Sequence, residues 1–141
     1  MKKIIDLVEK LIIRFPLFWQ FFKFCWVGVT NLLLYLAVYL LVTRLLSWHY
    51  TLASIIGFVV AVTWSFFINR KWTFKHNSGD KKKQYLTFFI ISIIGMGINL
   101  ALLSFFIEVF KIYDIIAQLI CSVIVAFINF GLNRFWTFRN H

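Results

Sequence analysis

The chain has 141 residues, of which 62% are hydrophobic, and its net charge is +10. A soluble domain carries about 45–50% apolar and about 25% charged residues, whereas only 14% of this chain is charged. The composition therefore excludes an ordinary water-soluble domain and predicts a membrane protein. The basic residues form no separate soluble domain, so we expect no nucleic-acid binding. Positive charge beside apolar segments is typical of membrane topology signals and of contacts with anionic lipid.

The N-terminal segment, residues 1–19, mixes charged side chains with apolar ones. The apolar positions 4, 8, 11, 12 and 15 follow helical spacing. Because charges of both signs interrupt the segment, it is predicted to be an amphipathic helix that lies in the membrane interface. Pro16 is expected to end this helix, since proline does not fit a helix interior.

Four long apolar segments follow, over about residues 21–42, 51–68, 85–107 and 115–132. Each approximates the roughly 20 residues that cross a hydrocarbon core about 30 Å thick. Helices are expected because backbone groups in lipid must be hydrogen-bonded within the segment, and the apolar runs do not alternate as barrel strands do. The predicted fold is an all-α membrane protein, with residues 20–141 forming a domain of four transmembrane helices.

The basic residues are distributed unequally between the two ends of these helices. Of the 15 basic residues, only Arg44 and Lys111 lie in the short connections at 43–50 and 108–114. The positive-inside rule then predicts that both termini and the central loop, residues 69–84, face the cytoplasm.

One hexapeptide occurs twice. Residues 69–74 read Asn-Arg-Lys-Trp-Thr-Phe and residues 133–138 read Asn-Arg-Phe-Trp-Thr-Phe, at an offset of 64 residues. Each copy closes an apolar segment, so the chain is predicted to consist of two similar hairpins, at about 20–75 and 84–139. Because both hairpins enter the membrane from the same side, they form a parallel repeat.

The repeat places paired arginines where hydrocarbon meets water. A guanidinium group binds phosphate oxygens through two parallel hydrogen bonds and stays charged. The predicted lipid-phosphate site therefore comprises Arg70, Arg134, Lys23, Asn69 and Asn133. Trp72 and Trp136 fit the aromatic belt at the interface. The alternative is that both copies are topology anchors only, and it stays open here.

Polar side chains inside the apolar segments suggest a path through the membrane. Asn31, Asn99, Asn129 and Ser65 lie within the predicted spans, where amides cost free energy unless they are paired. They fit a polar translocation path or pocket for a lipid headgroup. They fit equally well a set of hydrogen bonds between helices, each contributing about 0.6–2 kcal/mol.

No set of residues predicts catalysis. The sequence shows no His–carboxylate–nucleophile set, no paired carboxylates and no glycine-rich phosphate loop. Cys25 and Cys121 have no neighbours at metal-ligand spacing. We therefore expect no enzymatic activity, metal or cofactor.

The sequence resembles the GtrA-like family. The resemblance rests on Lys23, Phe24, Val27, Gly28 and Asn31 at the start of the first span and on the doubled Asn-Arg-x-Trp-Thr-Phe motif. It covers about residues 20–139. The two halves of the chain are not exact copies, because Ser92 and Gly95 occupy the positions equivalent to Gly28 and Asn31.

The resemblance implies a small protein of the bacterial inner membrane that works with polyprenyl-phosphate glycosyltransferases. Its expected function is to translocate polyprenyl phosphate or a polyprenyl-phosphate-linked sugar for glycosylation of envelope polysaccharide or teichoic acid. The expected partners are that lipid, membrane lipids, a membrane glycosyltransferase and a second copy of the chain.

Two other functions compete with translocation. A non-transporting scaffold for a glycosyltransferase fits the basic loop equally well. A small multidrug exporter has a similar size, but proton-coupled export needs a carboxylate within the membrane. The acidic residues lie outside the four apolar cores, namely Asp6, Glu9, Asp80, Glu108 and Asp114.

Overall fold

The computed structural model describes residues 1–139 as an all-α protein. Its α-helices, in chain order, are α1 (Lys2–Arg14), α2 (Pro16–Leu40), α3 (Tyr50–Ile68), α4 (Lys81–Glu108) and α5 (Asp114–Leu132). Single π-helical turns extend α2, α3 and α5; they are Leu41–Leu45, Asn69–Thr73 and Asn133–Thr137.

Within residues 1–139, the four helices α2 to α5 are long and apolar enough to cross a membrane. With their π turns they contain 30, 24, 28 and 24 residues. Each predicted span lies inside one of these helices, so the predicted fold class is confirmed. The helices exceed the apolar segments chiefly at the ends that carry basic residues, because the chain stays helical as it leaves the hydrocarbon.

The N-terminal segment is divided by Pro16. Helix α1 ends at Arg14, and Pro16 is the first residue of α2, a position where its missing N–H breaks no helical hydrogen bond. Residues 16–19, which the sequence pattern assigned to the N-terminal segment, therefore belong to α2. None of the side chains of α1 is buried. Its position in the membrane interface stays a prediction.

The membrane helices form two hairpins, α2–α3 and α4–α5. The packing within each hairpin is more extensive than the packing between hairpins. We define the basic end of the molecule as the end that carries α1, the loop at 74–80 and residues 133–139. The far end carries the short connections at 46–49 and 109–113.

The repeated motif builds the same turn twice. The Phe74 N–H donates to the Asn69 carbonyl oxygen, and Phe138 donates to Asn133, both at 2.9 Å. In each copy the threonine hydroxyl donates to the asparagine Oδ1 at 2.8 Å, for Thr73 and for Thr137. The motif therefore keeps Asn and Thr because they brace the π turn from inside.

Six phenylalanines at the basic end join the two hairpins. They are three pairs separated by 64 residues: Phe24 and Phe88, Phe66 and Phe130, and Phe74 and Phe138. The ring centroids of Phe24 and Phe74 lie 6.2 Å apart, and the symmetry-related pair lies 6.1 Å apart. Phe24 and Phe130 lie 5.6 Å apart, and their counterparts 5.7 Å. At the centre, Phe74 stacks on its own counterpart Phe138 at 4.8 Å. The hairpins are thus related by an approximate two-fold axis.

Candidate functional site

Arg70 holds the central loop against the start of α4. Its Nε donates to Gln84 Oε1 at 2.8 Å, and its Nη2 donates to the Ser78 carbonyl oxygen at 3.3 Å. Gln84 donates to the same carbonyl at 3.0 Å. Arg70 is only 9% exposed. Gly79 completes the arrangement, because its φ is +87° and a Cβ there would lie 2.6 Å from Gln84 Nε2.

Arg134 makes the equivalent contact in the other direction. Its Nη1 donates to Gln20 Oε1, near the start of α2. Gln20 and Gln84 are themselves separated by 64 residues. The arginine that ends each hairpin therefore binds the glutamine that begins the other, and we refer to these two contacts as the arginine–glutamine clasps.

Sequence reasoning missed Gln20 and Gln84. The signal was available, since both follow the 64-residue offset. However, the offset alone did not indicate that each glutamine faces the arginine of the opposite hairpin. That pairing depends on the relative position of the hairpins, which the approximate two-fold axis supplies.

Lys23 and the motif tryptophans lie at the surface of the basic end. The Lys23 ammonium lies 5.2 Å from the ring centroid of Trp72, a cation–π contact. Thr87 replaces Lys23 in the second hairpin, and Trp136 is 67% exposed. The role of both indoles as interfacial anchors stays a prediction.

The motif asparagines are already hydrogen-bonded inside the protein. Asn69 Nδ2 donates to Ser65 Oγ at 3.2 Å, while Asn133 Nδ2 donates to the Asn129 carbonyl oxygen at 2.8 Å. Their Oδ1 atoms accept from the motif threonines. Each side chain is 1% exposed. In this conformation the two asparagines brace the turns, which accounts for their repetition without a phosphate ligand.

A cavity of about 590 Å³ lies between the hairpins. Residues from α2, α3, α4 and α5 contribute to its wall, and Phe24 and Phe88 of the aromatic cluster form part of it. The structure brings together here all four residues of the predicted polar path, namely Asn31, Ser65, Asn99 and Asn129. It does not bring Arg70, Arg134 or Lys23 into the wall of this cavity.

Two amide oxygens at the cavity have unmet hydrogen-bonding capacity. Asn31 Oδ1 and Asn129 Oδ1 are buried and accept no hydrogen bond from any of residues 1–139. The Asn129 amide occupies the space above Gly95, where a Cβ would lie 2.4 Å from Oδ1. A buried acceptor without a donor costs about 1–3 kcal/mol. Most native structures satisfy such atoms, so these oxygens indicate a place for a ligand or water.

The far part of the cavity contains a second polar group. Gln118 Nε2 lies 3.0 Å from Ser122 Oγ and 3.4 Å from Asn99 Oδ1, donating to both. Sequence reasoning missed Gln118 and Ser122. The signal was their spacing, since both lie on the face of α5 that carries Asn129 and Asn133.

The lining of the cavity follows most of the length of the helix that α5 and its π turn form. Gln118 and Asn133 lie at the two extremes of this lining and are 15 residues apart in the sequence, or about 22 Å along a helix with a rise of about 1.5 Å per residue. The hydrocarbon core is about 30 Å thick. Among residues 1–139, the side chains that line the cavity are all uncharged.

A second, apolar groove of about 570 Å³ adjoins the first hairpin. Tyr35, Ser54 and Phe58 line it, and these are the 64-residue equivalents of Asn99, Gln118 and Ser122. The Ser54 hydroxyl donates to the carbonyl of Tyr50 on its own helix at 2.9 Å. The groove therefore has apolar or self-bonded side chains at the three positions where the cavity carries Asn99, Gln118 and Ser122.

Comparison with known proteins identifies relatives of this chain. The chain is 28% identical over 120 residues to the bactoprenol-linked glucose translocase of Shigella phage SfII, covering 85% of this chain and 95% of the relative. It is 24% identical over 115 residues to the cell wall teichoic acid glycosylation protein GtcA of Listeria monocytogenes, covering 79% of each. It is 30% identical over 116 residues to the uncharacterized membrane protein YngA of Bacillus subtilis, covering 82% of this chain and 77% of the relative. Residues 23–138, which comprise the four spans and both copies of the motif, match the family described as GtrA/DPMS, transmembrane domain, and the chain belongs to that family.

Proposed function

We propose that this protein translocates a polyprenyl-phosphate-linked sugar, or its polyprenyl phosphate carrier, across the bacterial inner membrane for glycosylation of the cell envelope. Membership of the GtrA/DPMS family supports this function, as do relatives named for bactoprenol-linked glucose translocation and for teichoic acid glycosylation. The protein acts as a transporter and catalyses no bond cleavage or formation.

The observation that carries the proposal is the uncharged polar cavity. A polar headgroup loses its hydration on entering hydrocarbon, at a cost of several kcal/mol per unsatisfied group. The cavity offers Asn31, Asn99, Asn129 and Gln118 as replacement partners along most of the membrane thickness. The isoprenoid chain stays in the apolar surroundings, so its movement has no desolvation cost.

The basic end supplies the charge for a lipid phosphate. Arg70, Arg134 and Lys23 lie there, and an arginine binds phosphate more strongly than it binds a neutral amide. Arg134 is the better candidate for phosphate binding, because it is less buried than Arg70 and its hydrogen bond goes to Gln20. Arg70 is held by Gln84 and by the Ser78 carbonyl, so it chiefly maintains the loop.

Transport is driven by the lipid gradient. Within the described residues, the acidic side chains of the spanning helices are Glu108, the last residue of α4, and Asp114, the first residue of α5. A carboxylate in mid-membrane that could exchange protons is therefore absent from residues 1–139. Synthesis of the lipid-linked sugar on one face and its consumption on the other would sustain the net flux.

A reconstitution assay tests the function. Proteoliposomes containing labelled polyprenyl-phosphate glucose should equilibrate it between leaflets without an imposed pH gradient, whereas protein-free liposomes should not. Gly95→Leu should block movement, because its side chain must occupy the space of the Asn129 amide. Gly97→Leu on the same helix is the matched control, since a Cβ at Gly97 meets nothing within 4 Å. Equal rates with and without protein would refute translocation.

The alternative is a scaffold that positions a glycosyltransferase without moving lipid. Such a protein would give no translocation in liposomes but would retain the enzyme in a pull-down from detergent.

We also propose a homodimer, because four helices enclose little room for both headgroup and tail. Mass measurement in nanodiscs tests this, and a monomer alone would contradict it.

The orientation follows from the basic residues. We propose that both termini and the loop at 74–80 face the cytoplasm. In a cysteine-free background, Asn77→Cys should react with an impermeant thiol reagent only after the membrane is opened. His141→Cys, which lies outside the described residues, should behave in the same way. Labelling of either in intact cells would reverse the topology.

A further inference from the structure

The geometry points to a division of the headgroup between two places in this conformation, which is the one that first binds the lipid: the cavity binds the sugar, and the basic end binds the phosphate. This inference rests on the proposed function and names the chemical class that the cavity takes. The part of the ligand in the cavity is an uncharged ring with several hydroxyl groups, and the phosphate of the same lipid lies at the basic end before translocation.

The first argument is charge. A phosphate that enters a low-dielectric cavity needs a cation beside it, since an unpaired ion costs several kcal/mol even after relaxation. The cavity wall formed by residues 1–139 contains amides, hydroxyls and apolar groups and no lysine or arginine. The nearby cations are instead held outside, Arg70 by Gln84, Arg134 by Gln20 and Lys23 on the face of Trp72.

The second argument is the kind of hydrogen bond that the cavity lacks. Asn31 Oδ1 and Asn129 Oδ1 are acceptors that need donors. An ionised phosphate diester has acceptor oxygens and no donor, so it leaves both amide oxygens unsatisfied. A sugar hydroxyl donates one hydrogen bond and accepts others. A sugar therefore supplies the donors that both oxygens lack once the two amide side chains turn toward it, and it also accepts from amide N–H groups.

The third argument is distance. Asn129 and Arg134 are five residues apart on one continuous helical segment, or about 7.5 Å along the axis. A phosphate near Arg134 and a sugar near Asn129 are thus separated by a short distance along the helix axis, as is required when one covalent bond joins them. The cavity volume of about 590 Å³ also lies in the range of roughly 300–1,000 Å³ that is usual for small-ligand sites.

The far side of the sugar is then recognised through hydrogen bonds by Gln118, Ser122 and Asn99. They already form a hydrogen-bonded chain, with Gln118 in the centre donating to both neighbours. The Gln118 Oε1 accepts no hydrogen bond from any of residues 1–139. These residues are specificity determinants, because a hydroxyl in the wrong position would leave part of this chain without a partner.

The experiment compares two probes of equal isoprenoid length, polyprenyl-phosphate glucose and polyprenyl phosphate. Their affinities for the purified protein in nanodiscs are measured by a titration with a thermal-shift or native mass readout. We expect the sugar-linked probe to bind about tenfold more tightly, as one additional well-made set of hydrogen bonds would give. Asn129→Leu and Gln118→Leu should abolish this preference by lowering the affinity for the sugar-linked probe to that for bare polyprenyl phosphate.

Ser54→Leu is the matched control, since Ser54 is the equivalent of Gln118 in the first hairpin and lines the apolar groove. It should retain the preference. If Asn129→Leu fails to fold, the partly exposed Gln118 provides the independent test.

Three outcomes would overturn the inference. Equal affinity of wild-type protein for the two probes would show that the sugar is not recognised, while translocation of either probe would still support the proposed function. A parallel loss of affinity for both probes in Gln118→Leu would place the phosphate in the cavity. Absence of binding and of translocation for both probes would refute the proposed function together with the inference.

Discussion

The two hairpins share a sequence pattern and a packing plan but fill their interiors differently. In the first hairpin Tyr35 lies over Gly57, and a Cβ at Gly57 would lie 3.1 Å from the Tyr35 ring. The equivalent positions in the second hairpin hold Asn99 and Cys121. The tyrosine ring packed on a glycine forms part of the wall of the apolar groove, whereas the shorter Asn99 contributes an amide to the polar cavity.

The hairpins also differ at other equivalent positions along their helices. Among the cavity-lining residues of the α-helices, the first hairpin has one amide, Asn31 on α2, whereas the second has three, Asn99 on α4 and Gln118 and Asn129 on α5. Gly95 replaces Asn31 in the second hairpin and makes room for the Asn129 side chain. An internal repeat thus supplies two equal scaffolds, and a few substitutions that change side-chain volume and polarity turn one of them into a binding surface.

Placing the Tyr35–Gly57 pair of the first hairpin at the equivalent positions of the second hairpin should have the largest effect. The double variant Asn99→Tyr, Cys121→Gly should place a ring where the polar end of the cavity now lies. We expect translocation of polyprenyl-phosphate glucose to fall about tenfold or more, because the headgroup loses both space and hydrogen-bond partners. The liposome assay measures the rate.

The reciprocal double variant, Tyr35→Asn with Gly57→Cys, is its control. It removes aromatic packing from the first hairpin, so the midpoint of thermal unfolding should fall while the cavity of the second hairpin stays intact. Unchanged translocation in the Asn99→Tyr, Cys121→Gly protein would show that the difference between the hairpins has no functional meaning.

The two arginine–glutamine clasps should differ in their contribution to stability. Gln84→Ala should destabilise the protein by about 2 kcal/mol, since it leaves the Nε of Arg70, a residue that is 9% exposed, without its hydrogen-bond acceptor. Gln20→Ala should cost less than about 1 kcal/mol, because Arg134 is only partly buried and reaches water. Thermal unfolding in the same detergent measures both.

Equal losses in Gln84→Ala and Gln20→Ala would mean that the clasps are equivalent. Arg134 would then be no better placed than Arg70 to exchange its glutamine for a lipid phosphate. In that case the assignment of Arg134 as the better phosphate ligand would be wrong.

The smallest effect is expected at Lys23. Lys23→Thr copies the residue of the second hairpin and removes the cation–π contact with Trp72, which contributes about 0.5–1 kcal/mol at an exposed site. Thr87→Lys, the reverse exchange, should gain a similar amount by covering Trp136. Denaturant titration followed by tryptophan fluorescence measures both. A large loss in Lys23→Thr would assign Lys23 a structural role beyond this contact.

The arginines show how far sequence reasoning reached into the site. Their position at one end of the helices was predictable, because the motif follows two apolar segments of similar length, and their level in the membrane stays a prediction. Their neutral partners were not predicted. The bond between Gln20 and Arg134 joins residues 114 positions apart, and such a contact depends on how the hairpins pack.

The asparagines show the reverse case. Asn31, Asn99 and Asn129 were predicted as polar residues in the membrane, with a pocket and interhelical hydrogen bonds as alternatives. The structure places all three at one cavity and leaves one oxygen of Asn31 and one of Asn129 unpaired. Both alternatives contain part of the answer, since Asn99 also accepts a hydrogen bond from Gln118 of the adjacent helix.

The sequence alone determined the four membrane helices, the two-fold repeat and the level of the basic residues, because these follow from local hydropathy, helix length and the 64-residue offset. Only the tertiary structure decided that the motif asparagines brace turns, that each arginine binds the opposite hairpin, and that the cavity is uncharged. The physical reason is that side-chain pairing between distant helices depends on the volumes that meet across their interface. Tyr35 and Asn99 occupy equivalent positions in the repeat, and the difference in their size and polarity decides which recess is apolar and which is polar.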